Sequence, residues 1–221
     1  MPNLQPALIF DLDGTLTDSK PGIVACLRKV LDARNLSSKG DLARFVGPPV
    51  EEWTRELLPD GSDEERLQLG REYRACYDRE GWNNNSVFPG VRAMLEDLHA
   101  RGVRLFVCTS KQQHFADRIL NVFDLARFFA AVYGDKASYV DHSKANLLAR
   151  LLREQDLAPA TSWMVGDRIF DLQAAQANHV RCVAAGWGYG DSGELVRADA
   201  LAATPSDVVA HMLLPVGGFR T

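Results

Sequence analysis

The sequence has no apolar run that approaches the roughly 18 residues of a membrane span. Residues 1–6 have neither the basic region nor the apolar stretch of a signal peptide. Positive charge is also in short supply, because 25 Lys and Arg stand against 29 Asp and Glu and leave a net charge of -4. This balance disfavours a chain that neutralises nucleic-acid phosphates. We therefore expect a cytoplasmic protein with neither nucleic-acid nor membrane partners, and the composition leaves the oligomeric state open.

Cysteine is sparse, and no two cysteines have the spacing of a metal site. The four are Cys26, Cys76, Cys108 and Cys182, and the last two lie inside apolar runs. We expect buried free thiols in a reducing compartment. With 221 residues, 46% of them hydrophobic, the chain is long enough for one sizeable core and a smaller subdomain.

Short apolar runs alternate with helical patterns over most of the chain. This alternation predicts a parallel sheet with helical crossovers. Between the first run and the others, by contrast, the pattern is mainly helical. We predict an α/β fold with a Rossmann-like core, residues 1–16 and 88–221, and a helical cap, residues 17–87, inserted after the first strand. The runs that predict strands are residues 7–10, 103–108, 130–133, 163–165 and 180–184.

Polar side chains follow several of the predicted strands, at the point where each strand ends. In an open parallel sheet these ends lie at one edge, where sites form. Carboxylate oxygens suit Mg²⁺ shared with a substrate phosphate, and a lysine supplies a point charge for phosphate. The set therefore predicts a phosphoryl site with a hard cation. Its members are Asp11, Asp13, Thr109, Ser110, Lys144, Asp167 and Asp171.

These residues resemble the motifs of the haloacid dehalogenase superfamily. Residues 11–15 read Asp-Leu-Asp-Gly-Thr, and the phosphatases of that superfamily have Asp-x-Asp-Gly-Thr there. Thr109 matches the second motif and Lys144 the third, while residues 166–171 resemble the fourth, Gly-Asp-x-x-x-Asp. The four motifs occur in order through nearly the whole chain.

Two further segments resemble a narrower branch of the superfamily. Residues 45–49, Phe-Val-Gly-Pro-Pro, and residues 187–190, Trp-Gly-Tyr-Gly, look like the phosphoglycolate-phosphatase-like branch. That branch includes phosphoglycolate phosphatases, 5'-nucleotidases and tyrosine-phosphatase-like proteins. By pattern alone, residues 187–190 are interpreted as a loop whose glycines permit tight backbone turns.

The resemblance implies a Mg²⁺-dependent phosphatase that acts on a small phosphorylated metabolite. Asp11 would be the nucleophile that forms an aspartyl-phosphate, and Asp13 the acid and base. Mg²⁺ would be held by Asp11, the backbone carbonyl of Asp13 and Asp167. Asp171 would hold a metal-bound water or orient Lys144.

The same resemblance implies a set of contacts to the substrate phosphate. Lys144 would neutralise charge in the transition state, although Lys111 is a rival for this task. The residues expected around the phosphate are Gly14, Thr15, Thr109, Ser110 and Lys144.

Three other functions stay open at this point. A phosphomutase would pass the phosphoryl group to a sugar hydroxyl. A receiver-like signalling module would keep it on an aspartate, although the Asp-x-Asp-Gly-Thr motif and the large insertion speak against this reading. The third is a binding protein that has lost catalysis, although the presence of every motif residue speaks against it. The substrate itself, phosphoglycolate, a nucleotide or a sugar phosphate, is not readable from the sequence.

Overall fold

A computed structural model describes residues 6–36, 40–48, 50–136 and 143–213. Residues 1–5, which belong to the segment without a signal-peptide pattern, lie outside these ranges. So does Pro49, the last residue of the segment 45–49 that resembles the narrower branch. The chain divides into two compact units, one formed by residues 1–16 and 87–221 and the other by residues 17–86. That they act as core and cap stays a prediction. In the described residues, none of the helices is both long and apolar enough to cross a membrane.

A six-stranded sheet forms the centre of the larger unit, and every pairing in it is parallel. The strands are β1 (Ala7–Phe10), β4 (Arg104–Gln112), β5 (Ala131–Asp135), β6 (Ser162–Gly166), β7 (Arg181–Ala185) and β8 (Ala200–Ala202). Their order in the sheet is β5-β4-β1-β6-β7-β8. The α/β class predicted from the alternating pattern is confirmed. Two short strands, β2 (Thr17–Asp18) and β3 (Ser86–Val87), form a separate two-stranded sheet.

All four residues of the strand β1 are apolar, which suits its position in the middle of the sheet. All four of its residues are completely buried, as expected for a parallel strand covered on both faces. Its register places Ile9 opposite Phe106 on β4 and Met164 on β6. The helices of this unit are α4 (Val91–Ala100), α5 (Gln113–Val122), α6 (Lys144–Glu154), α7 (Ile169–Ala177), α8 (Ser192–Leu195) and α9 (Pro205–Leu213).

Two features of this unit differ from the sequence-based expectation. The strand β4 was predicted to end at Cys108, but it continues to Gln112 with a register shift between these two residues. Pairing of Gln112 with Asp135 on β5 keeps the polar segment in the sheet. The elements α8, β8 and α9 were not predicted at all, because their apolar segments are short.

The smaller unit is helical, with an aromatic core. Trp53 is buried and its ring contacts those of Phe45 and Tyr73. Sγ of Cys76 lies 2.9 Å from Sγ of Cys26, and burial raises the pKa of Cys26 to about 12. All four cysteines are buried and free. The helices are α1 (Lys20–Ala33), α2 (Val50–Leu57) and α3 (Asp63–Cys76).

A substitution in α1 tests the packing of the smaller unit. A Cβ atom on Gly22 would lie 2.0 Å from the carbonyl oxygen of Gly81. We expect Gly22→Ala to destabilise the protein by about 1–3 kcal/mol in urea denaturation, because the overlap outweighs the better helix propensity of alanine. Ala25→Gly on the exposed face of α1 is the control, and it should cost about 1 kcal/mol by propensity alone. A Gly22→Ala variant as stable as the wild type would contradict this packing.

Candidate active site

Four of the predicted strand-end residues directly follow two neighbouring strands or lie in the helices after β5 and β6. Asp11 directly follows β1, and Asp167 directly follows β6. Asp171 lies in the first turn of α7, and Lys144 is the first residue of α6. The crossovers thus return each residue to the carboxyl edge of the sheet.

Three carboxylates lie close together at this edge of the sheet. Asp11, Asp167 and Asp171 each offer an oxygen, and these oxygens lie within 4.8 Å of one another. All three side chains are buried. Asp13 takes no part in this group through its carboxylate, so the role implied for it as a metal ligand rests on its backbone carbonyl.

Lys144 neutralises part of this charge. Its Nζ lies 2.8 Å from Oδ1 of Asp11 and 2.5 Å from Oδ1 of Asp171. Burial lowers the pKa of Lys144, but the attraction of Asp11 and Asp171 outweighs it and the net shift is upward. The lysine is therefore a fixed cation, as a buried ion pair requires.

The pKa values of two of the buried carboxyl groups, those of Asp11 and Asp167, are raised. Burial raises the pKa of Asp11 to about 6, with Lys144 opposing the shift and Asp171 adding to it. Burial, together with Asp171 and Asp11, raises the pKa of Asp167 to about 8, although hydrogen bonds from Tyr189 and Thr15 oppose this. Three ionised carboxylates against one ammonium would leave an uncompensated negative charge, and burial makes that charge costly.

Lys111 occupies a different position from the one considered for it as a rival of Lys144. Its Nζ lies 2.7 Å from Oδ2 of Asp13, and both side chains are largely buried. The other oxygen of Asp13, Oδ1, is buried and has no hydrogen-bond partner among the described residues. The structure thus assigns one lysine to each carboxylate of the Asp-x-Asp motif.

Gly14 and Thr15 lie against Asp167. The hydroxyl of Thr15 donates to Oδ1 of Asp167 over 3.0 Å. Gly14 has a φ of +87°, and a Cβ atom there would lie 2.2 Å from a carboxylate oxygen of Asp167. Glycine is therefore needed at this position for two reasons, its left-handed backbone and the close approach. The contacts to substrate phosphate implied for both residues stay a prediction.

Thr109 and Ser110 lie in the irregular last part of β4. Thr109 is buried, and its Oγ1 accepts a hydrogen bond from the backbone N–H of Lys111 over 3.2 Å. This contact fixes the segment that carries Lys111 beside Asp13. Ser110 is partly exposed. Their implied role toward phosphate also stays a prediction.

The contribution of the loop after β7 was not predicted from the sequence. The backbone N–H of Tyr189 donates to Oδ2 of Asp167 over 2.9 Å, and the indole Nε1 of Trp187 donates to the carbonyl of Thr15 over 2.9 Å. The glycine-rich pattern of residues 187–190 was the available signal, but it was interpreted only as a tight turn.

The donor set fits a hard divalent cation. The three side chains offer carboxylate oxygens, which Mg²⁺ prefers over nitrogen or sulfur. With Lys144 present, ionised Asp11, Asp167 and Asp171 carry two negative charges in excess, and a divalent cation balances these. The residues present can therefore hold Mg²⁺.

Known proteins are similar to this chain. The family of haloacid dehalogenase-like hydrolases matches residues 8–185. The tyrosine-protein kinase PtkA of Mycobacterium tuberculosis is 41% identical over 95% of this chain and 70% of its own length. The 5'-nucleotidase of Pseudomonas aeruginosa is 38% identical over 86% of each chain. A phosphoglycolate phosphatase of Yersinia pseudotuberculosis is 29% identical over 95% of this chain and 91% of its own.

A solved structure supports the fold assignment. The crystal structure of a protein from Clostridium acetobutylicum, described as a predicted phosphatase, superposes with a TM-score of 0.87. It is 28% identical, and the match covers 96% of this chain and 99% of that one.

The raised pKa values predict a pH-dependent affinity for Mg²⁺. Without metal, Asp167 holds a proton below about pH 8 and Asp11 below about pH 6. Because a cation binds the ionised carboxylates and displaces these protons, its affinity should rise with pH, by up to about tenfold per unit for each proton displaced. Calorimetry between pH 6 and 8, in buffers of different ionisation enthalpy, measures affinity and proton release together. An affinity independent of pH with no proton release would contradict the pKa assignment.

Proposed function

The chain belongs to the haloacid dehalogenase-like hydrolases, in their phosphoglycolate-phosphatase-like branch, and we propose that it hydrolyses a small phosphomonoester with Mg²⁺ through an aspartyl-phosphate on Asp11. It is a phosphoric monoester hydrolase of that family. The observation that carries the proposal is the buried group in which Lys144 contacts both Asp11 and Asp171, with Asp167 beside them.

The first half of the reaction transfers the phosphoryl group to Asp11. A carboxylate oxygen of Asp11 attacks phosphorus, the bond to the ester oxygen breaks, and that oxygen leaves with a proton from Asp13. The pKa of about 6 leaves Asp11 mostly ionised at neutral pH, as a nucleophile must be. When bound by Asp11, the Asp13 carbonyl and Asp167, Mg²⁺ supplies positive charge that reduces the repulsion between carboxylate and phosphate.

The second half hydrolyses the aspartyl-phosphate. Asp13 takes a proton from a water molecule, whose oxygen attacks phosphorus and releases Asp11 and inorganic phosphate. Oδ1 of Asp13, which has no hydrogen-bond partner in the described part of the chain, supports this role, because a buried acceptor without a partner is costly unless substrate or water meets it. Lys144 stays charged throughout and stabilises the added negative charge.

The unit of residues 17–86 is proposed as the cap. Its closure would exclude bulk water and select the leaving group. The relatives named as a 5'-nucleotidase and as phosphoglycolate phosphatases support a small phosphorylated metabolite as the substrate, phosphoglycolate- or nucleotide-like.

A second candidate is phosphoryl transfer involving tyrosine. The relative at 41% identity is named a tyrosine-protein kinase. The same Asp11 chemistry would serve if Asp11 attacked the γ-phosphorus of ATP and released ADP. A tyrosine oxygen, instead of water, would then lose its proton to Asp13, attack phosphorus and release the Asp11 carboxylate. Incubation with Mg²⁺ and γ-labelled ATP separates the two, since a hydrolase releases label as phosphate and a kinase leaves it on tyrosine.

Removal of the nucleophile tests the function directly. We expect Asp11→Asn to abolish Mg²⁺-dependent phosphate release from a panel of phosphoglycolate, nucleotides, sugar phosphates, phosphotyrosine and an aryl phosphate. Asp97→Asn on the exposed part of α4, where Asp97 pairs with Arg101, is the matched control and should keep full activity. Undiminished activity in Asp11→Asn would exclude the proposed mechanism.

The role of Asp13 as an acid predicts a dependence on the leaving group. Asp13→Asn cannot donate a proton to the leaving oxygen, so it should slow alkyl phosphates more than an aryl phosphate whose phenolate leaves without one. Single-turnover release of the alcohol measures this step. Equal losses of about 10²–10⁴-fold for both substrate types would show that Asp13 has another role.

A further inference from the structure

The loop that follows β7 contacts the site although none of the four motifs includes it. It contains Trp187, Gly188, Tyr189 and Gly190, which join β7 to α8. Its hydrogen bonds reach Thr15 and Asp167, and Asp167 is completely buried. This loop segment, residues 187–190, is called the Asp167 loop below.

Among the residues that the structure describes, one donates a hydrogen bond to each oxygen of Asp167. Oδ2 accepts from the backbone N–H of Tyr189 at 2.9 Å, and Oδ1 accepts from Oγ1 of Thr15 at 3.0 Å. Two donors on opposite oxygens fix the plane of a carboxylate. Each oxygen keeps further acceptor capacity, so a cation can still bind.

Trp187 holds Thr15, one of these two donors, in place. Its indole Nε1 donates to the backbone carbonyl of Thr15 over 2.9 Å. The Asp167 loop therefore holds Oδ2 directly and Oδ1 through Thr15.

The glycines allow the loop to approach this closely. A Cβ atom on Gly188 would lie 2.2 Å from Cβ of Asp167 and 2.5 Å from the carbonyl oxygen of Gly14. On Gly190 it would lie 1.9 Å from the backbone oxygen of Asp167. Both overlaps involve backbone atoms or the first atom of a side chain, which cannot rotate away. Any residue larger than glycine must therefore displace Asp167 or the loop.

We propose that the Asp167 loop is a positioning element that holds the carboxylate of Asp167 in one orientation for a small divalent cation, with Trp187 and Gly188 as its positioning residues. The inference rests on the proposed function, which makes Asp167 a ligand of Mg²⁺. Mg²⁺ demands near-ideal octahedral geometry, whereas Ca²⁺ accepts irregular sets of oxygens. A loosened Asp167 should therefore weaken Mg²⁺ binding more than Ca²⁺ binding.

The test compares the affinities of the full chain for the two metals. Gly188→Ala displaces the loop, and Trp187→Phe removes the indole N–H while keeping an aromatic ring. The control is Gly102→Ala, because Gly102 also belongs to the larger unit and a Cβ atom there meets nothing within 4 Å. Calorimetric titration with MgCl₂ and with CaCl₂ gives the two dissociation constants for each protein.

We expect the Kd for Mg²⁺ to rise about 10–100-fold in Gly188→Ala, the range typical when a group that orients a metal ligand is lost. Trp187→Phe should show a smaller rise, and the Kd for Ca²⁺ should change less in both variants. Gly102→Ala should bind both ions as the wild type does, although its φ of +73° makes alanine strained there.

Two results would overturn this inference and leave the proposed function standing. One is wild-type Mg²⁺ affinity in both variants, and the other is an equal loss of affinity for both metals, which indicates general destabilisation. If Gly188→Ala does not fold, Trp187→Phe decides by itself. A wild-type chain that binds no Mg²⁺ would overturn the proposed metal dependence as well, so the two failures are distinguishable.

Discussion

The attraction between one buried ammonium and the carboxylates around it is the constraint on which the site depends. Lys144 contacts Asp11 and Asp171 while Asp167 lies beside them, and water reaches none of them freely. Removing the ammonium would leave these carboxylates buried without an opposite charge, at a cost of about 3–5 kcal/mol. Burial, with the neighbouring carboxylates adding to it, accounts for the raised pKa values of Asp11 and Asp167. The excess of negative charge accounts for the fit to a divalent cation.

Crowding of these carboxylates explains the glycines around them. A Cβ atom on Gly166 would lie 2.1 Å from the carboxyl carbon of Asp171, and one on Gly14 or Gly188 would overlap Asp167. The parallel sheet brings the segments together, because Asp11 and Asp167 directly follow the adjacent strands β1 and β6. Sheet topology thus sets which residues meet, and the glycines set how closely.

Much of the sheet and the elements of the site were predictable from the sequence, for a physical reason. Continuous apolar runs such as residues 7–10 mark strands buried on both faces, and polar residues just after them mark the edge where sites form. The pairing of Lys111 with Asp13 was not predictable, because it depends on a register shift in β4 that no pattern records. The contact between Cys26 and Cys76, fifty residues apart, depends in the same way on how α1 meets the end of α3.

The stereochemical course at phosphorus tests the central claim, a covalent phosphoryl group on Asp11, most directly. A phosphorothioate ester made chiral by oxygen isotopes would be hydrolysed by the full chain with Mg²⁺, and the configuration of the released thiophosphate determined. Transfer first to Asp11 and then to water inverts phosphorus twice, so the account predicts net retention. Net inversion would mean that water attacks the substrate directly, and it would contradict Asp11 as the nucleophile.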